Sequence, residues 1–198
     1  MKRITGIVIL AVLCATGAMA QTAFKKYDIK SGIVTYDQTM TVGSMVMKKT
    51  VVIFFDDYGM KECRDTYSGK SLEESYFSDG KDLYSVRPAK KTAHKQGPAF
   101  RGVGIRVDWT DFGTDKDRQS GKIRFKPSMM IAGKNCDVFE TGDEKKGDIT
   151  TYGGWKKILM LLHSKSSMTE MLQRAVKIEE VAVPEEKFKV PPGYIIEG

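Results

Sequence analysis

The sequence is poor in the side chains that carry chemistry. It holds two histidines in 198 residues. His94 and His163 lie far apart, and neither belongs to a His-Glu-x-x-His pattern, so no zinc site is indicated. There is no Gly-x-Ser-x-Gly elbow, and neither Cys63 nor Cys136 has a histidine close in sequence to raise its thiolate fraction. The acidic residues are scattered, with no spacing that singles out a glycosidase pair. Arg101-Gly-Val-Gly104 lacks the third glycine and the following helix of a dinucleotide site. Asp115-Lys-Asp117 begins like a calcium loop, but Ser120 stands where glycine is required and Lys126 where the bidentate acid belongs. Met45-Val-Met47 alone is too sparse for copper. These absences argue against an enzyme and imply no cofactor and no metal. No apolar run reaches the roughly 20 residues of a membrane span, so the chain is not expected to cross a membrane with a helix.

What is present starts at the N-terminus. Lys2 and Arg3 form a positive n-region, Ile7 to Leu13 an apolar core, and Ala18-Met19-Ala20 a small-x-small cleavage site before Gln21. Together these read as a secretory signal cut after Ala20, leaving 21–198 as one domain outside the cytoplasm. Leu13 precedes Cys14, where a lipoprotein signal places a small residue, so Cys14 reads as part of the apolar core and the mature chain as freely diffusing. Export removes nucleic acid from the expected partners. Cleavage lowers the formal charge of +7 by two. The remaining lysines, such as Lys48-Lys49 and Lys145-Lys146, are interleaved with acids, which is the pattern of a mixed surface with at most a weak attraction to anionic headgroups.

Beyond the signal, short β-branched and aromatic runs alternate with turn residues, the pattern of antiparallel strands joined by hairpins. Ile33–Met40 and Val46–Phe55 flank a Gly43-Ser44 turn, and Val51-Val-Ile-Phe-Phe55 is apolar on both faces, as in a strand covered from both sides. Further strands are expected at Met60–Tyr67, Glu74–Phe77, Leu83–Arg87, near Ile123 and around Cys136. The stretch from Pro88 to Gly121 is irregular, with a loop or short helix near Val107–Phe112. For Trp155–Glu180 the spacing of Trp155, Ile158, Leu159 and Leu162 favours a helix. Ser167-Met-Thr-Glu170 adds capping-box spacing, although Ile158, Met160 and Leu162 also alternate as in a strand.

Two cysteines remain after cleavage, in a compartment where a disulfide can persist. Cys63 and Cys136 either pair or serve as buried apolar thiols. The nine methionines that remain offer polarisable surface suited to ligands of variable shape, or ordinary core filler.

Taken in order, Ser31-Gly-Ile-Val-Thr-Tyr36, Val52-Ile-Phe-Phe-Asp-Asp-Tyr-Gly59, Ile131-Ala-Gly-Lys-Asn-Cys-Asp-Val-Phe139, Trp155 and Phe188-Lys-Val-Pro-Pro-Gly-Tyr194 resemble a family of exported Gram-negative envelope proteins similar in design to the periplasmic lipoprotein-carrier superfamily of LolA and LolB type. The resemblance implies a mainly β (α+β) fold, a strongly curved antiparallel sheet forming an unclosed half-barrel whose concave face is covered by short helices or loops. It also turns the expectation for Trp155–Glu180 toward strands. As function it implies a periplasmic monomer that binds a lipid or the acyl chains of a lipoprotein in an apolar cavity. Tyr36, Ile53, Phe55, Phe77, Tyr84 and Trp155 are the expected lining; the chain departs from the carriers in that no position matches their lipid-gripping arginine, for which Arg64, Arg87 and Arg101 are the residues open. The alternative is a scaffold that binds an envelope protein or glycan, with the concavity serving only as core.

Overall fold

The computed structural model describes residues 25–99 and 115–197. The signal segment, Arg101 and the Val107–Phe112 stretch lie outside the described residues. Twelve strands form one sheet: β1 (Gly32–Val42), β2 (Met45–Asp56), β3 (Lys61–Ser68), β4 (Ser71–Ser78), β5 (Asp82–Arg87), β6 (Thr92–Pro98), β7 (Ile123–Ile131), β8 (Lys134–Asp143), β9 (Asp148–Trp155), β10 (Ile158–Lys165), β11 (Thr169–Glu179) and β12 (Ile195–Glu197). Their order is β12-β6-β5-β4-β3-β2-β1-β11-β10-β9-β8-β7. All pairings are antiparallel except β12 with β6. The sheet is not closed, and the half-barrel expected from the resemblance is the architecture found.

Turn chemistry explains the meander. Two-residue hairpin turns whose twist matches the strands require positive φ. Gly43 (φ +58°), Gly69 (φ +58°) and the Ala132-Gly133 pair supply it. Curvature comes from register shifts, at Thr35/Tyr36, Thr66/Tyr67, Leu83/Tyr84, Lys126/Met129 and Leu159/Leu161, each an irregularity that bends its strand. Pro127 falls inside the shift on β7, an edge strand, where its missing N–H interrupts no interior ladder. At this end the sheet rolls so far that β7 returns to β11, four strands away, and Arg174 Nη2 donates to the Met130 carbonyl at 3.2 Å. Gly153 makes the roll tight: a Cβ there would meet Leu161 Cβ at 2.9 Å and Ile131 Cδ1 at 3.1 Å.

Trp155–Glu180 is strand, not helix. The helix-like spacing arises because Met160 is the extra residue of a bulge, so Ile158 to Leu162 are all buried and mimic one helical face. The capping-box spacing belongs to a hairpin turn instead, in which the Ser166 hydroxyl lies 2.8 Å from Thr169 Oγ1 and Ser166 N–H donates to the Thr169 carbonyl.

Adjacent residues of a strand point to opposite faces, and here both faces carry a core. Val51 and Phe55 belong to a cluster with Tyr27, Ile29, Val34, Tyr36, Met160 and Ala175, with Ile53 packed against it. Phe54 packs against a second cluster of Cys63, Phe77, Val86, Ala93, Val183 and Phe188. The apolar run Val51–Phe55 is therefore covered on both sides. Among the described residues the covers are residues 25–30 over the first cluster and the C-terminal strap 181–194, with its short 3-10 turn Glu185–Phe188, over the second. Among the described residues the helical pieces are the five-residue Asp115–Gln119 and three 3-10 turns.

The N-terminal segment is tied down from both ends. Lys26 and Tyr27 N–H groups donate to the Tyr58 carbonyl, and Asp28 N–H to the Lys156 carbonyl. Gly59 lets the segment approach, since a Cβ there would meet the Tyr27 ring at 2.7 Å. Lys26 and Glu62 form a fully buried ion pair, with side-chain exposures of 1% and 0%, and the Tyr27 hydroxyl donates to Glu62 Oε1 at 2.5 Å.

A candidate ligand-binding groove

The face that holds the first cluster continues toward the β1–β2 hairpin as an open groove of about 550 Å³. Register builds it. Tyr36 stands opposite Val51, Gln38 opposite Lys49 and Met40 opposite Met47. Arg64 stands opposite Tyr76, and Thr66 opposite Glu74. The groove is lined by Gln38, Met40, Met47, Lys49, Arg64, Thr66, Glu74 and Tyr76. It combines two thioethers with cationic, anionic and phenolic groups, the lining of a site for an amphipathic ligand.

Most of its charges are paired. Lys49 Nζ lies 2.7 Å from Glu73 Oε2, and the Tyr76 hydroxyl donates to Glu74 Oε1 at 2.7 Å, which raises the Tyr76 pKa. Arg64 is the exception. Half-buried on the groove face, its guanidinium makes no hydrogen bond or ion pair among the described residues. A partly desolvated guanidinium without a partner is a receptor for carboxylate or phosphate.

The residues expected to line one cavity are distributed over two clusters. Tyr36 and Phe55 are buried in the first, with exposures of 2% and 1%, and Ile53 packs beside them. Tyr36 is structural: its hydroxyl donates to the Leu159 carbonyl at 2.9 Å, pinning β1 to β10, and burial pushes its phenol above the ordinary range. Trp155 sits at the margin of this cluster under two lysines, with Lys134 and Lys156 Nζ at 4.4 and 4.6 Å from its ring centre. Phe77 and Tyr84 lie across the sheet in the second cluster, stacked at 4.9 Å. They border the C-terminal strap, where Phe77, Val86, Pro184, Pro191 and Tyr194 line a second cleft of about 410 Å³. Of the three arginines weighed, Arg64 reaches the groove and Arg87 faces a small polar pocket with His94 and Glu197.

The polar lining at Gln38, Thr66 and Glu74 escapes a sequence reading that seeks an apolar cavity. The pairing of Met40 with Met47 carries a local signal: a two-residue turn at Gly43-Ser44 sets Val42 opposite Met45 and hence Met40 opposite Met47.

Cys63 and Cys136 are free and buried in different clusters, so the pairing that export allows is not made. Burial, then the Asp65 carboxylate, pushes the Cys63 thiol from an ordinary value near 9 up to about 12. Burial, then Asp137, raises Cys136 to about 11. Both should react with iodoacetamide at pH 8 at least about a hundredfold more slowly than an exposed thiol, the loss of thiolate fraction setting the rate. Both should label fast in denaturant without reductant, whereas a disulfide would leave them unlabelled. These raised values also fix a sign. The stability the neutral thiols contribute is complete below about pH 9 and is lost as pH rises toward 12, with the buried phenols of Tyr27 and Tyr36 adding to the loss above pH 10.

No group of three or more His, Cys, Asp or Glu side chains that would hold a metal occurs among the described residues. No helix among them is long and apolar enough to cross a membrane.

No family model and no curated protein sequence matches the chain. Solved structures do. An uncharacterized conserved protein from Thermus thermophilus matches with a TM-score of 0.55 at 6% identity, over 85% of this chain and 90% of that one. MucB, solved in complex with MucA from Pseudomonas aeruginosa, matches with a TM-score of 0.51 at 8% identity, over 81% of this chain and 56% of that one, so the chain spans little more than half of it. A LolA superfamily protein, NE2245 from Nitrosomonas europaea, matches with a TM-score of 0.42 at 9% identity, over 83% and 94%. At these identities the likeness to the Thermus protein and to MucB is one of fold alone.

Proposed function

We propose that the mature chain is a periplasmic binding protein for an amphipathic, lipid-like ligand, either a lipid or the acylated end of a protein, and that it acts without covalent chemistry. The observation that carries this reading is Arg64, a half-buried guanidinium without an ion partner among the described residues, set in the same groove as Met40 and Met47. The thioethers adapt to an acyl chain of variable shape, and Arg64 takes the anionic head. The signal sequence supplies the compartment.

Native mass spectrometry after mild purification tests it. The wild-type chain should carry lipid or acylated peptide, and Arg64→Glu should lower affinity for an anionic amphiphile by about tenfold to a hundredfold, the worth of a charged hydrogen bond. Arg64→Lys should keep part of it. A wild-type chain without amphiphile, or an Arg64→Glu variant that binds as well, overturns the reading.

A second reading has its own support. Tyr36 and Phe55, expected to line a cavity, are core, so that part of the concavity is filled by the protein itself. A half-barrel of similar fold, MucB, was solved with a protein bound. A scaffold for an envelope protein or glycan would recover one stoichiometric partner from envelope extract, where a carrier recovers mixed lipids.

A further inference from the structure

Beyond the groove, the same end of the half-barrel carries an apolar rim that neither cluster accounts for. Pairing of β2 with β3 begins only at Thr50 opposite Tyr67, while β1 and β2 continue together to Val42 and Met45. The hairpin therefore extends five residues beyond its last pair with β3, roughly 16 Å of strand. It is braced by the β10–β11 hairpin, whose Met168 carbonyl accepts the Gly43 N–H at 3.2 Å. The two linked tips present Met45, Val46 and Met168 with exposures of 62, 57 and 75%, beside Val42. An exposed apolar hairpin tip suits insertion into a soft phase better than contact with a flat protein face.

The charges around the tip select which phase. Lys48, Lys70 and Lys165 are exposed and make no ion pair among the described residues. Glu73 pairs with Lys49, and Glu170, 2.7 Å from His163 Nε2, stands opposite Lys165 in the β10–β11 register. Lys48 and Lys70 thus leave an excess of positive charge beside the apolar tip, the complement of an anionic lipid surface, where each lysine contributes about fivefold to binding.

We infer that the linked β1–β2 and β10–β11 tips dock the protein on an anionic lipid bilayer, with Val42, Met45, Val46 and Met168 entering the interface and Lys48, Lys70 and Lys165 meeting the headgroups. Met40 and Met47 continue from the rim into the groove, so docking sets the groove mouth against the lipid. The inference rests on export in the reading above but not on the groove being filled.

Flotation of the mature chain with protein-free vesicles tests it. Wild type should float with mixed phosphatidylcholine–phosphatidylglycerol vesicles, weakly with phosphatidylcholine alone, and less as salt rises. The variant Met45→Ser/Val46→Ser/Met168→Ser changes only exposed side chains and should melt as wild type does, yet lose at least about tenfold in partitioning. Lys48→Glu/Lys165→Glu should lose the preference for the anionic vesicles. Wild type that stays with the protein fraction, or a triple serine variant that floats equally well, overturns the inference. So does binding confined to vesicles bearing membrane proteins, which would assign the rim to a protein partner. Ligand content read by native mass spectrometry on the same samples keeps the two readings apart: a chain that floats without bound amphiphile retains the rim and loses the groove.

Discussion

Glu62→Ala is expected to cost about 3–5 kcal/mol of folding stability, the penalty for breaking a buried ion pair. Glu62 is wholly buried on β3 and accepts from both Lys26 and the Tyr27 hydroxyl. Removing its carboxylate breaks the Lys26–Glu62 ion pair in a site where Lys26 is 1% exposed, and takes the acceptor from the Tyr27 phenol. Because Lys26 and Tyr27 lie on the segment that covers the first cluster, the loss should show locally as well. Amide exchange at Lys26 and Tyr27, which donate to the Tyr58 carbonyl, should accelerate before the rest of the sheet opens. The double variant Lys26→Met/Glu62→Leu separates the broken ion pair from lost packing. It should lie within about 1–2 kcal/mol of wild type, since apolar replacement of a whole buried pair is often neutral or better. Denaturant midpoints for the two variants settle the matter. A Glu62→Ala cost below about 1 kcal/mol would be that of an exposed pair and would contradict the burial.

None of this pair is visible in the sequence, and the reason is physical. Lys26 sits in a Lys25-Lys26 doublet that reads as solvated surface, and Glu62 in an ordinary polar alternation; only the passage of 25–30 over the sheet brings together residues 36 apart. The strands themselves are legible because the Val51–Phe55 run, Gly43-Ser44 and Ala132-Gly133-Lys134 are local signals that tertiary structure does not override. Trp155–Glu180 is not legible by periodicity, since one bulge at Met160 converts a period of two into an apparent helical face. The groove is legible only as side-chain types. None of the six aromatic and aliphatic residues expected as lining falls in it, while Arg64 is one of three arginines open as a headgroup contact and Met40 and Met47 are two of the nine methionines left after cleavage. Their convergence depends on the order β4-β3-β2-β1, and pairing order is a non-local property. The aromatic residues read as a single lining because sequence cannot tell one buried face from the other when both are covered: Phe54 and Phe55 are adjacent, equally apolar, and belong to different cores.

Phe55→Ala gives that distinction a measurable form. Phe55 is 1% exposed, and its ring meets Tyr27 edge-on with centres 4.8 Å apart. It also lies over Gly32, where a Cβ would come within 2.8 Å of the ring, so β1 carries a glycine at this point to admit it. Truncation would empty the space between the sheet and the 25–30 segment. Gly32, having no side chain, cannot fill it, and Tyr27 is held by its bond to Glu62. A site that cannot collapse bears the full cavity term, so the expected cost is about 3–5 kcal/mol by equilibrium denaturation. Phe55→Leu, which keeps most of the volume, should cost well under half of that. Were Phe55 instead part of an open ligand cavity, truncation would leave stability nearly unchanged and alter the ligands retained. The groove at Arg64 makes the opposite demand: substitution there should change bound amphiphile and leave the denaturation midpoint almost where it was. Measuring both quantities on both variants therefore assigns each residue to core or site, and a Phe55→Ala chain that melts like wild type would return Phe55 to the ligand lining.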